Sequence, residues 1–375
     1  MKKQNYENTI NLQVKDLFSL VDVQTEKCFD RAKMDGMMSE SDFANIKRVI
    51  ISGCGDSYSA AGVVAPIMKD LAELESTESP DPMLYSTFYD KDDTLLDYDP
   101  DQVLVIAISA SGNSSRVLDI LNVANDHGAR TMLISNNPES KGSALADMLF
   151  YVETPEGLNS PGLRSYFASM IALLSLSTRI AVAKGLKSQE DEDQLVSTFI
   201  SYVKSYEPLY ESIDDQMFEL ALAWKDFTRF EVIGDDADFY SAQFVEEKVI
   251  ECAGLQCGHY DSEDWCHINF FMKNPETVGT IHLVNSYLPN YDRSQETVRV
   301  SQEIGRPTLA VVDANAVIET EGVHVCTLPE LPAAYPWMHS IMNFIPGSIL
   351  AAYLATVDER FFFGGRYDPI NQVWQ

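Results

Sequence analysis

Short apolar runs alternate with stretches of helical spacing along most of the chain. The run "RVIISGCG" (48–55) is β-rich and ends in glycines, and "SYSAAGVVAPIMKDLA" after it repeats apolar residues at helical intervals. Then come the strand-like "VLVIAISA" (103–110), a helical stretch from near Ser114, "TMLISNN", and "ADMLFYVET". A long apolar helical segment, "LRSYFASMIALLSLSTRIAVAKG", closes this half. Strands alternating with helices at these lengths predict βαβ units and a parallel, doubly wound sheet.

Residues 186–225 are acidic and helical and read as a connector. The order then repeats: strand "RFEVIG", helix "ADFYSAQFVEEKVIECAG", strand "TVGTIHLVN", helix "DRSQETVRVSQEIG", strands "PTLAVVDA" and "VHVCTL". The segment "WMHSIMNFIPGSILAAYLATVD" matches the closing helix of the first half in kind. A weak internal repeat of one α/β lobe follows. The expected organisation is an N-terminal helical segment (1–47), a first lobe (48–185), the connector (186–225) and a second lobe (226–375). A length of 375 residues suits two such lobes.

Charge narrows the partners. Lys and Arg number 27 against 57 Asp and Glu, a formal net charge of −30. Such an excess argues against nucleic acid or an anionic membrane as partner. A bound phosphate would need local donors. No apolar run approaches the roughly 20 residues that span a bilayer, and "MKKQNYENTI" lacks the apolar core of a secretory signal, so a cytoplasmic location is expected. Six irregularly spaced cysteines fit reduced thiols. Cys252, Cys257, His259, Cys266 and His267 match no paired zinc spacing, and neither metal nor cofactor is expected.

Two turns carry candidate chemistry. The first strand ends in Gly53, Cys54, Gly55, Asp56 and Ser57, and the next in Ser109, Ser111, Gly112, Asn113 and Ser114. A helix start offers free N–H groups and a positive dipole end, serines add neutral donors, and glycine permits close approach. A serine turn alone is usually an N-cap. Two such turns, with Ser165 and Tyr166 at a third helix start, favour an anion cradle. Neither loop contains lysine, which excludes a P-loop. In the second lobe Gly234 is followed by Asp235, Asp236 and Asp238, carboxylates that would repel a phosphate.

"GCGDSYSAA" and "ISASGNSSRVLDILNVANDHGARTMLISNNPESKGSALADMLFYVE" resemble the sugar isomerase (SIS) domain family. The resemblance runs from about Arg48 onward as two tandem SIS lobes, each a flavodoxin-like three-layer α/β/α sheet. It is nearest to the isomerase half of glucosamine-6-phosphate synthase and to the fructosamine-6-phosphate deglycases. It implies that Gly55, Ser57, Ser109, Ser111, Gly112, Asn113, Ser114 and Ser165 bind a sugar phosphate. Ala110 stands where the synthases have a glutamine, and Arg164–Phe167 keeps only part of the family's pattern.

The resemblance further implies an acid/base pair, Glu251 and His267, which reproduce the family spacing of sixteen residues. By residue type alone, Glu246, Glu247 and Glu251 equally suit the solvated face of a helix. His267 is followed by Ile268 and Asn269, where relatives place glycine and proline. A glutaminase cysteine at position 2 is replaced by Lys2, and the tail "ERFFFGGRYDPINQVWQ" has no lysine for a Schiff base. The first argues against ammonia delivery from glutamine, and the missing lysine favours a deglycase acting on a hexose or fructosamine 6-phosphate. The alternatives are an aldose–ketose isomerase and a non-catalytic sugar-phosphate sensor. The resemblance also implies a homodimer in which His267 reaches the neighbouring subunit's site, with "DWCHINFFM" and "ERFFFGGRY" as interface candidates.

Overall fold

The computed structural model describes residues 3–158 and 161–358. The chain divides into two compact units. The first lobe takes in Leu20–Gly157 and Arg164–Ile200, and the second the described parts of 1–19, 158–163 and 201–375. Division therefore falls elsewhere than at 48, 186 and 226. Helix Gln189–Lys204 follows the first lobe as far as Ile200, and helix Tyr210–Trp224 packs under helix Phe344–Val357 of the second. Their buried apolar faces, Leu195 and Phe199 in one and Met217, Phe218 and Leu220 in the other, make them parts of a core instead of a free connector.

Five parallel strands form the first sheet: β1 (Arg48–Gly53), β2 (Ser76–Glu78), β3 (Val103–Ile108), β4 (Arg130–Ser135) and β5 (Met148–Tyr151). Their order is β2-β1-β3-β4-β5. Every residue of β1 and β3 is buried, which explains why both read as unbroken apolar runs: helices cover both faces. The second sheet comprises β6 (Arg229–Ile233), β7 (Gln256–Tyr260), β8 (Val278–Val284), β9 (Thr308–Val312) and β10 (His324–Thr327), in the order β7-β6-β8-β9-β10. Position for position this is the same strand order as in the first sheet.

Two edge strands were not legible. β2 has three residues, "STE", and β7 is "QCGHY", whose cysteine and histidine suggested metal chemistry before strand pairing. Both are held in place by pairing to their central neighbours.

The expectation that no segment reaches membrane-spanning length is corrected. Arg164–Ala183 and Met338–Val357 each have 20 residues at a mean hydropathy of 1.5. Both are core helices, 89% buried in the relevant window. Arg164–Ala183 lies against helix Asp56–Leu71, whose small residues Ser59, Ala60, Ala61 and Gly62 allow close approach. Apolar residues all round a helix are what a fully enclosed position requires.

Candidate functional site

Strand order in the first sheet reverses between β1 and β3. β1 leads outward to β2 and β3 leads the other way to β4, while the two are paired from Arg48↔Val103 to Gly53↔Ile108. Their carboxyl ends stand side by side, and the following helices cover opposite faces. Open α/β sheets bind ligands in that crevice.

The turn after β1 is set by two glycines. A Cβ on Gly53 would lie 2.7 Å from Ser57 Cβ and 3.0 Å from the Ile108 carbonyl, so the helix start closes tightly on both strands. Gly55 has φ +55 and its missing Cβ would meet nothing within 4 Å, leaving open space beside the turn. Helix Asp56–Leu71 begins at Gly55 with no side-chain cap. The Ser57 hydroxyl has no partner among the described residues.

The turn after β3 is tied down from within. Gly112 N–H donates to Ser109 O and Oγ, both at 3.1 Å. Asn113 N–H donates to Ser111 Oγ at 3.3 Å. In both serines the oxygen accepts and the O–H remains a donor. Ser114 is the N-cap of helix Ser115–His127, yet its side chain makes no capping bond; its hydroxyl meets the Cys54 thiol across the crevice. Burial pushes that thiol's pKa up, and the Ser114 contact and the charge of Arg116 draw it back. Elsewhere in this lobe Asp30, Ser39, Asp81, Asp90 and Ser140 all cap helix starts with their side chains. The two helices that open on the crevice have no such side-chain cap.

Two expected ligands have other work. Gly112, at φ +64, would put a Cβ 2.2 Å from Ser140 Oγ, so packing against the neighbouring loop, and not ligand approach, requires the glycine. Asn113 Nδ2 donates to the Ser111 carbonyl (3.0 Å) and its Oδ1 accepts from Lys141 N–H (3.0 Å). Both ends of the amide are engaged in fixing the loop. Ser165 is half-buried in the first turn of helix Arg164–Ala183, and its hydroxyl has no partner among the described residues.

The catalytic candidates lie in the second lobe. Glu251, on helix Ala237–Ala253, accepts from Lys248, whose side chain is fully buried and whose Nζ lies 4.7 Å from the Phe244 ring centre. Its neighbours are also engaged: Glu246 with His259, Glu247 with Gln243. The sequence reading missed Lys248 because a single lysine among glutamates looks like solvated surface. His267 is 68% exposed, and its Nε2 lies 2.9 Å from Glu263, which also pairs with Arg293. It makes no hydrogen bond to Glu251. Among the described residues no group of three His, Cys, Asp or Glu could hold a metal.

The reversal point of the second sheet has different chemistry. A Cβ on Gly234 would meet Asp238 O at 2.3 Å, as Gly53 meets Ser57, so Asp238 occupies the place of the first lobe's serine. Asp238 is fully buried and accepts from Asn343 Nδ2 (2.7 Å) and Asn285 Nδ2 (3.2 Å). Burial pushes its carboxyl up to about 7, against those hydrogen bonds. Asp235 accepts from Ser262 N and Oγ, both at 2.9 Å. These carboxylates are structural ties, which the sequence reading took for a repulsive turn.

Serine hydroxyls and uncapped helix starts meet at the strand-order reversal of an open α/β lobe. Residues 42–179, which lie within this lobe's part of the chain apart from 158–163, match the model of the SIS domain. The chain is 22% identical over 321 residues to a glutamine–fructose-6-phosphate aminotransferase of Thermococcus kodakarensis, covering 84% of this chain and 50% of that protein. The same enzyme of Neisseria meningitidis serogroup A is 30% identical over 159 residues, 42% of this chain and 24% of that protein. The chain thus spans about half the length of the first of these relatives and less of the second. In fold it is similar to the C-terminal domain of glucosamine-fructose-6-phosphate aminotransferase from Francisella tularensis, with a TM-score of 0.81 and 15% identity over 97% of this chain and 100% of that one.

Proposed function

We propose that the protein binds a hexose 6-phosphate or fructosamine 6-phosphate in the first lobe and acts on it as a deglycase. The observation that carries the binding is the crevice between β1 and β3. There Ser57, Ser109 and Ser111 keep donors in reserve, Ser114 meets the Cys54 thiol, and two uncapped helices begin. A dianion suits such a set, because hydrogen bonds to a charged acceptor are about twice as strong as neutral ones.

For the chemistry, Glu251 takes the proton between C1 and C2 of the open-chain sugar, and the resulting imine is hydrolysed with loss of the amine. A carboxylate beside a buried ammonium offers both a base and a proton donor on one helix turn. Simple aldose–ketose isomerisation would use the same proton transfer. The exposure of His267 favours a second reading, a sugar-phosphate sensor without turnover. Alternatively His267 serves a second copy of the chain in a homodimer. Ile268 and Phe271 beside it are 64% and 75% exposed, an apolar surface suited to burial in such a contact.

The test is Glu251→Gln, which keeps shape and removes the base. Turnover of a fructosamine 6-phosphate should fall about 10²–10⁴-fold with sugar-phosphate binding nearly intact. Glu247→Gln is the control for surface charge. Turnover equal to wild type in the 251 variant removes Glu251 as the base. A wild type that neither releases amine nor interconverts aldose and ketose leaves the sensor.

A further inference from the structure

Arg116 is the first basic residue after the serine turn that follows β3, two positions beyond Ser114 and in the first turn of helix Ser115–His127. Its side chain is 27% exposed. Nη1 donates to Ser86 Oγ at 3.2 Å, and Ser86 in turn donates to the Pro82 carbonyl at 2.6 Å. The same nitrogen pairs with Asp119 Oδ2 at 3.1 Å, one turn along the helix. These contacts fix the guanidinium against helix Pro82–Phe88, and its charge acts on the Cys54 thiol in the β1 turn. Its Nε and Nη2 have no partner among the described residues. A guanidinium carries N–H donors in a fixed fork that matches phosphate oxygens, so an arm of that fork remains free.

The site needs such a group. The chain's net charge of −30 opposes a dianion, and Asp56 and Asp81 stand near the β1 turn. Neutral hydroxyls and helix dipoles supply donors and partial charge there, and a guanidinium would add a full positive charge.

We infer that Arg116 is the cation of the first-lobe phosphate site, contributing charge and a free N–H pair to the phosphoryl group of a sugar phosphate. The inference rests on the reading of the β1–β3 crevice given above. Asp119 competes for the guanidinium, but as a pair with a half-exposed carboxylate it is weak.

The experiment is calorimetric titration of fructose 6-phosphate, and of unphosphorylated fructose, into wild type, Arg116→Gln, Arg116→Lys and Asp119→Asn, each checked for an unchanged melting temperature. Arg116→Gln should weaken fructose 6-phosphate by about 10-fold or more, the size expected for a lost charged hydrogen bond. Arg116→Lys should recover part of that loss. Asp119→Asn should bind as wild type or tighter. The affinity of wild type should also fall more steeply with salt than that of Arg116→Gln. Arg116→Gln within twofold of a wild type that binds, or an equal loss with Arg116→Lys and Gln, overturns the assignment and leaves the crevice standing. A wild type that binds no hexose 6-phosphate overturns the crevice reading and Arg116 with it.

Discussion

Asp238→Asn should change how the stability of this protein depends on pH. The carboxyl is fully buried, with its pKa raised by burial from 3.8 to about 7. Between those values the folded state holds a proton that the unfolded chain has released. Stability from this group is therefore complete at low pH, falls as pH rises, and is lost above about 7. Two pH units of this window lie above pH 5, and at about 1.4 kcal/mol per unit the loss between pH 5 and pH 8 is about 2.7 kcal/mol. Asn keeps the shape and has no charge to bury. Its NH₂ finds acceptors, since Oδ1 of both Asn285 and Asn343 lacks a partner among the described residues. Asp236, Tyr202, Tyr206 and Tyr287 interact with the carboxyl and are common to both proteins. The buried His282 and His339, pushed down to about 3 and about 4, act in the opposite sense, weakening the fold below about pH 6.5. They cancel when variant is compared with wild type. Urea unfolding of both proteins at pH 5, 6, 7 and 8 gives the difference directly. The variant should gain about 2–3 kcal/mol on wild type across the range. A difference constant to within about 0.5 kcal/mol would refute the reasoning.

Gly112→Ala should cost about 2 kcal/mol or more, combining left-handed backbone strain with a methyl driven onto Ser140, and should abolish sugar-phosphate binding. Gly55→Ala has the strain without the clash and should cost about 1 kcal/mol; thermal melts compare the two, and equal losses would show that the loop after β3 is not packed as described. Light scattering should show a dimer at micromolar concentration. Ile268→Asp with Phe271→Asp should shift it to monomer, whereas a wild-type monomer removes the shared-site model.

The α/β alternation was legible because β1, β3, β8 and β9 are buried throughout and so read as continuous apolar runs. The edge strands β2 and β7 were not, since partial exposure lets them carry Thr, Glu, Gln and His and leaves no period to see. The long apolar helices were read as too short to span a membrane because Ser, Thr, Arg, Pro and Gly interrupt their apolar runs. In the candidate site, the serine turns stood out in the sequence because they place small hydroxyls beside glycine at strand ends. The loop-fixing contacts of Asn113 were not legible, as one of them depends on Lys141, 28 positions away in the chain. Lys248 and Arg116 were overlooked for one reason. A lone cation gains meaning only from what folds beside it, here Glu251 and Phe244 in one case and Cys54 and Ser86 in the other.

The central claim is that the serine turns after β1 and β3 hold a sugar phosphate. Isothermal titration of fructose 6-phosphate and glucose 6-phosphate into wild type and Ser111→Asp, in one buffer, tests it most directly. Ser111 is exposed at the tip of the turn, so the substitution leaves the core untouched and adds a negative charge where the phosphoryl group should sit. Wild type should saturate at one site per chain with at least one of the two sugars, and the variant should give no binding heat with either. Equal affinity in the two proteins, or a wild type silent to both sugars, would contradict the account.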